Sequence, residues 1–300
     1  MQMRGNILLL ITAFIWGTAF VAQQVGMEEL GPFTYAAARF LLGIIFLWGL
    51  WLMDGKKHNS RKQRGLHHSG WKVGLLAGML LFIASSLQQV ALQFTTVGKT
   101  SFITALYIVL VPLGAALFRL GKVYAVNWLG AVLAVCGLYL LTIQGSISLN
   151  MGDIMVALSA LGWTAQILFI DRFAPHVDVL ELSLSQTIMS FAASLIAALA
   201  TEEIALAPIL HSWFPIAYAG ILSTGVAFTL QIVGQKYAAP SEAAVIMSFE
   251  AVFGALASYV LLGEQMTPAQ LTGCLLMFAG VIVSQLRTIL KKNQPSPQAQ

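Results

Sequence analysis

The chain has 300 residues, of which 58% are hydrophobic and only 9% charged, and its mean hydropathy is +0.81. A soluble domain carries about 25% charged residues, so this composition argues against a soluble enzyme or binding domain and for an integral membrane protein. The net charge of +4 is no sign of nucleic acid, because the basic residues are few and confined to the connections between apolar runs.

Ten apolar segments follow one another, at 5–25, 33–52, 71–94, 98–118, 125–143, 152–171, 179–200, 212–234, 240–261 and 268–288. About twenty residues at 1.5 Å each cross the roughly 30 Å hydrocarbon layer of a bilayer. Backbone groups in lipid must be satisfied internally, and the runs are too long and continuously apolar for barrel strands, so helices are expected. The first run, from Ile7 behind Arg4, has neither the short core nor the A-x-A site of a signal peptide and reads as a retained span. Most connections are tight. The exception is 53–70, MDGKKHNSRKQRGLHHSG, which reads as a polar loop. Cys136 and Cys274 lie inside apolar runs and read as small buried hydrophobes without a disulfide. The expected fold class is therefore an all-α integral membrane protein of ten transmembrane helices, ending in a disordered cytoplasmic tail over 291–300.

Lysine and arginine set the orientation. With the N-terminus inside, the inner segments hold 14 of the 16 basic residues, including Arg4, the cluster Lys56–Arg64, Arg119, Arg172, Lys236 and Arg287. The outer segments hold Glu28, Glu29, Glu202 and Glu203. Both termini are expected in the cytoplasm, and the protein in a plasma membrane such as the bacterial inner membrane. The basic cluster reads as a topology determinant beside lipid headgroups. His67 and His68 have no second ligand cluster, so no metal is expected.

The two halves repeat each other. A shift of 147 residues lays Gly5 on Gly152, Trp16 on Trp163 and Arg39 on Gln186. A shift of 143 lays Gln88 on Gln231, Tyr107 on Glu250, Gly130 on Gly273 and Gly137 on Gly280. The long basic loop accounts for the difference of four. The expected units are 1–146 and 147–290. Each has five spans, an odd number, so the second must enter the membrane upside down relative to the first. Inverted repeats of this kind belong to transporters, with substrate near the midplane between the repeats.

These residues carry a resemblance. FIWGTAF around Trp16-Gly17, Arg39 after Gly31-Pro32-Phe33, TTVGKTSFITALYIVLVP from Thr95 to Pro112, and FEAVFGALASYVLLGEQMT from Phe249 are similar to the EamA branch of the drug/metabolite transporter superfamily. The resemblance runs from Gly5 to Leu286. It implies a basket of helices and transport, often export, of amino acids or other small metabolites. That family commonly has proline after the ninth-span glutamate. Ala251 stands there instead, which removes the kink a proline would give.

Depth selects the candidate site. Trp16, Tyr107, Trp163 and Glu250 lie near the midpoints of the first, fourth, sixth and ninth spans, and are expected to line one central cavity. Trp and Tyr give flat apolar walls with a polar handle and can cradle a cation. Glu250 at mid-depth costs at least about 2.5 kcal/mol, so it should face an interior cavity, where it can bind an ammonium group or carry a proton. Arg39 can take a substrate carboxylate bidentately, or snorkel to the outer interface, or pair with a carbonyl. Gln88 and Gln166 are further cavity candidates. Gln231 is a possible inner gate or only a helix–helix bond, whereas Gln23, Gln24, Lys99 and Glu242 read as interfacial. Gly70, Gly74 and Gly78 mark a packing seam.

The expected function is secondary transport of a small polar substrate, amino acids or related compounds, exported by alternating access. The alternative is a flippase for lipids or lipid-linked sugars. No G-x-x-x-x-G-K-[ST] loop occurs, so ATP does not drive it directly and no cofactor is expected. An intramembrane enzyme is disfavoured, because H-E-x-x-H is absent and GILSTG at 220–225 does not match G-x-S-x-G.

Overall fold

Long apolar runs have one way to satisfy their backbone in lipid as single segments, the helix. The computed structural model describes residues 2–62, 70–95, 97–120, 123–142, 150–262 and 266–292, and contains no strand among them. The first three spans are α1 (Gln2–Gly26), α2 (Pro32–Lys62) and α3 (Gly70–Ala91). The fourth is α4 (Val97–Thr104) followed by α5 (Tyr107–Leu117), and the fifth is α6 (Ala125–Thr142). The second half opens with α7 (Met151–Phe173) and α8 (Val179–Thr201). A short α9 (Leu206–His211) leads to the eighth span, built from α10 (Trp213–Ala217), a π-helical stretch (Tyr218–Ala227) and α11 (Phe228–Gln235). The ninth is α12 (Pro240–Met247) with α13 (Glu250–Leu262), and the tenth is α14 (Pro268–Lys292). Seven of these spans are long and apolar enough to cross a bilayer, and three shorter apolar helices, Phe102–Leu117, Ala125–Leu141 and Pro268–Ser284, complete the ten. Leu10, Phe14, Leu75, Leu129 and Leu275 are among the large apolar side chains left exposed, as lipid-facing walls require.

Several expectations are corrected. The segment after Met53 is not loop throughout: α2 continues to Lys62. Lysine and arginine are good helix formers, and nine further residues carry the helix about 13 Å beyond the apolar span. His67 and His68 lie outside the described residues. So do residues 293–300 of the expected tail, whose start is instead the end of α14 at Lys292. The fourth and ninth spans are broken rather than continuous. Cys136 is exposed, although both cysteines are free thiols. Its place in the tenth-to-fifth span pair faces outward, where a small apolar thiol costs little.

The packing obeys the repeat. The shift relates α1 to α7, α2 to α8, α3 to the eighth span, the fourth span to the ninth, and α6 to α14. In the structure α1 packs on the eighth and ninth spans, and α7 packs on the third and fourth. The self-related pairs α2 with α8 and α6 with α14 also pack. Each half therefore buries itself mainly against the other. The glycines show the same rule at atomic scale: Gly130 lies against Gly280 and Gly137 against Gly273. If residue 130 meets the counterpart of 137, an isologous contact requires 137 to meet the counterpart of 130. Gly70, Gly74 and Gly78 of α3 lie on Glu181, Ser185 and Gln186 of α8, the expected seam.

One cap crosses between the halves. Asp178 caps α8 by accepting from the backbone N–H groups of Leu180 and Glu181 at 2.9 and 3.2 Å. Its counterpart before α2 is Gly31, which has no side chain to offer. Glu202 of the second half supplies the carboxylate instead, accepting from Phe33 N–H and Thr34 N–H at 2.9 and 2.8 Å. A Cβ on Gly31 would collide with that carboxylate.

Gly137→Ala is expected to lower the melting temperature of the detergent-solubilised protein measurably. The added methyl meets the Gly273 backbone, and overpacking of this kind costs about 1–3 kcal/mol. Gly49→Ala, at a position with open space around it, should melt like the wild type.

Candidate functional site

The two broken spans create the centre of the site. At Ala105–Leu106 the backbone tightens, with Leu106 N–H bonded to Ile103 and Ile108 N–H to Ala105 at 3.2 and 3.0 Å. At Ser248–Phe249 it does the same, with Phe249 N–H bonded to Ile246 and Ala251 N–H to Ser248 at 3.2 and 3.1 Å. These are i→i−3 bonds at repeat-equivalent positions. The ninth span is thus interrupted just before position 251 although no proline stands there. Ser248 also bonds back to the Val245 carbonyl at 2.8 Å, a contact that bends helices. Each break is followed at once by a residue of interest: Tyr107 begins α5 and Glu250 begins α13. The Tyr107 hydroxyl donates to Glu250 Oε1 at 3.1 Å.

Aromatic rings stand beside this pair. The ring centroids of Trp16 and Trp163 are 6.4 Å apart. Phe228 joins them, 5.0 Å from Trp16 and stacked on Trp163 at 6.4 Å. The Trp16 indole N–H donates to the Ser223 carbonyl at 3.4 Å, inside the π-helical stretch.

A cavity of about 50 Å³ lies among them, room for a few waters at roughly 10–15 Å³ each. Its wall takes Trp16, Phe20 and Gln23 from α1, and Arg39 from α2. Ser85, Gln88, Thr104 and Tyr107 come from the third and fourth spans. Trp163 and Ile167 come from α7, and Ser223, Phe228, Gln231, Met247 and Glu250 from the eighth and ninth spans.

Of the residues singled out from sequence, Trp16, Arg39, Gln88, Tyr107, Trp163, Gln231 and Glu250 meet at this one cavity. Gln166 does not. It is fully buried behind the wall, and its Oε1 accepts from Gln231 Nε2 at 3.1 Å. Gln88 donates to Thr104 Oγ1 at 2.8 Å, and Gln89 points elsewhere, toward Met27 Sδ at 3.9 Å. Arg39 neither snorkels nor finds a carbonyl: it is 4% exposed, its Nε has no hydrogen-bond partner, and its guanidinium lies 4.6 Å from the Phe40 ring centroid. Gln23, expected at the interface, faces the cavity. Glu242, in the first turn of α12, is buried and accepts from Gln2 Nε2, at the start of α1, at 2.6 Å. Three further pairs of counterparts line the wall without having been singled out from sequence: Phe20 with Ile167, Ser85 with Phe228 and Thr104 with Met247. Among the described residues no three His, Cys, Asp or Glu side chains come together as a metal site.

Ten apolar helices in two interlocked halves enclose a small cavity that holds one guanidinium and one carboxylate in a mostly apolar wall. The chain belongs to the EamA-like transporter family, which matches it twice, over residues 3–143 and 150–286. A protein of Archaeoglobus fulgidus named an uncharacterized transporter is 30% identical over 282 residues, 93% of this chain and 85% of that one. The uncharacterized transporter YoaV of Bacillus subtilis is 23% identical over 92% of this chain and 94% of its own. The uncharacterized inner membrane transporter YedA of Escherichia coli is 22% identical over 90% and 87%. A solved crystal structure superposes with a TM-score of 0.80 over 96% of this chain and 99% of its own, at 19% identity, a likeness of fold.

Trp163→Ala is expected to weaken substrate binding about tenfold, the loss of one aromatic wall. Thermal-shift titration with a metabolite panel checks it. An affinity equal to the wild type's would assign Trp163 to packing alone.

Proposed function

We propose that the protein is a secondary transporter of small zwitterionic metabolites, amino acids foremost, and that it exports them. The observation that carries this reading is the charge arrangement in the cavity. One guanidinium, Arg39, and one carboxylate, Glu250, line the same small space. No ion pair joins them to each other or to another described side chain, and Glu250 receives its hydrogen bond from Tyr107. An α-amino acid carries the complementary pair. Its carboxylate suits the two-pronged guanidinium, and its ammonium suits Glu250 with the tryptophan faces beside it. The flippase reading has no observation in its favour.

In this reading the two units, 1–146 and 147–290, rock about the cavity to expose it to either side in turn. The face bearing both chain ends is cytoplasmic, in keeping with the basic residues there, and the membrane is the inner membrane, as named for the Escherichia coli relative. Glu250 carries the ammonium or, when empty, a proton, which would couple transport to the pH gradient.

Efflux of labelled amino acids from proteoliposomes, with and without a pH gradient, tests the reading; no transport across the amino acids and related amines would sink it. Glu250→Gln keeps the shape and loses the charge. Transport by that variant should fall at least tenfold and lose its response to the pH gradient, while the protein still inserts and elutes as a single species. Wild-type rates would remove Glu250 from the mechanism.

A further inference from the structure

The cavity wall follows the internal symmetry in part, and Ser223, whose counterpart Leu80 does not line it, is one exception beside Trp16. Trp16 with Trp163, Gln88 with Gln231 and Tyr107 with Glu250 line it as counterparts. Arg39 lines it, but its counterpart Gln186 does not, and Gln23 lines it, but its counterpart Ile170 does not. Both counterparts are fully buried.

Gln186 has a second peculiarity. Neither its side-chain oxygen nor its nitrogen has a hydrogen-bond partner. A buried amide with both ends unmet is costly and rare. Its setting is nevertheless that of Arg39. Each stands seven residues into its helix, Arg39 after Pro32 and Gln186 after Val179. The Arg39 carbonyl lies on Gly220 of the eighth span, and the Gln186 carbonyl on Gly78 of the third.

An apolar plug begins one helical turn from Gln186, at Leu182 of the same helix. Ile170 packs with Val73, Ala77 and Leu182 in an apolar plug near the face that carries the chain ends. The equivalent plug near the far face, around Leu30, Tyr35 and Ile216, leaves Gln23 on the cavity wall. The cavity wall therefore reaches further toward the far face than toward the terminal one.

We infer that Gln186 is a second carboxylate-binding position, sealed in this conformation, which takes the place of Arg39 when the cavity turns to the terminal face. This rests on the transport reading above and adds a consequence to it. At the far face the substrate carboxylate meets a charged, two-pronged donor. At the terminal face it meets one neutral amide. The two faces differ in affinity for carboxylates but not for amines. External amino acid then holds the exporter in its far-face state and restrains efflux.

The test compares membrane vesicles of the two orientations, identified by protease access to a C-terminal tag. For an amino acid, KM at the far face should be roughly tenfold below KM at the terminal face, the worth of a charged over a neutral hydrogen bond. For the amine lacking the carboxylate the two values should agree. Arg39→Gln should bring the amino acid's two values together, and Gln186→Arg should lower the terminal-face value. Equal values in the wild type, or a difference that survives Arg39→Gln, overturns the inference while leaving transport intact. If nothing is transported, the functional reading fails and a second measurement still decides this one. In a chain with Cys136 and Cys274 replaced by serine, Gln186→Cys should react with an impermeant thiol reagent from the terminal face, and Arg39→Cys from the far face. A Gln186→Cys that stays unreactive from both faces, in a chain whose Arg39→Cys reacts, overturns it.

Discussion

Tyr107 donates to Glu250 across 143 residues of sequence, and each is the other's counterpart in the repeat. Two equivalent positions can touch only where the axis relating the halves passes between them. Trp16 and Trp163, also counterparts, meet the same condition with ring centroids 6.4 Å apart. The axis is thereby located, and with it the cavity. Helices that must cross this line have few choices of neighbour, which is why α2 packs on α8 and α6 on α14. The polar group that costs most in lipid sits where both halves can enclose it.

Lipid gives helices no hydrophobic reason to associate, so their approach depends on close van der Waals contact and hydrogen bonds. Glycine supplies the first along α6 and α14, where Gly130, Gly137, Gly273 and Gly280 bring backbones together. Serine supplies the second along α3, where Ser159 and Ser190 donate to the carbonyls of Ala84 and Gly78 at 2.8 and 2.9 Å. Neither half has a complete interface of its own.

Much of this was readable from the sequence, and the parts that were not share a cause. Apolar length gave the spans, because lipid imposes it. Trp16, Trp163, Tyr107 and Glu250 stood out because aromatic and acidic residues at mid-depth are rare. The helix breaks left no mark: at Ala105–Leu106 and Ser248–Phe249 no glycine or proline announces them, and the shift from i→i−4 to i→i−3 bonding changes no hydropathy. Gln23 was misplaced because depth along a helix does not say which way a side chain faces. Gln166 was misplaced for the opposite reason. It shares a face with Trp163, but the neighbouring eighth span brings Gln231 against it. The extension of α2 to Lys62 was hidden by charge, which marks the end of the membrane and not the end of the helix.

The symmetry is broken most plainly by the π-helical stretch, and the break bears on function. In regular helix each carbonyl is engaged four residues on, as holds for α3, where Leu80 is the counterpart of Ser223. The wider turns of Tyr218–Ala227 alter that ladder beside the cavity, and π-helical turns cluster at functional sites. The Ser223 carbonyl there accepts the Trp16 indole N–H, and the Ala227 carbonyl accepts the Thr12 hydroxyl at 3.3 Å. Trp163, facing α3 in the related place, has no partner for its own indole N–H. One tryptophan is thus fastened and the other is not, although both line the same cavity. Were the pair only packing, two fastened rings would be the cheaper solution, since a buried donor left unmet costs about 1–3 kcal/mol. The Trp163 ring is held by its contacts with Trp16 and Phe228 alone and by no hydrogen bond of its indole N–H, and it belongs to α7, the helix whose Ile170 takes part in the apolar plug near the terminal face.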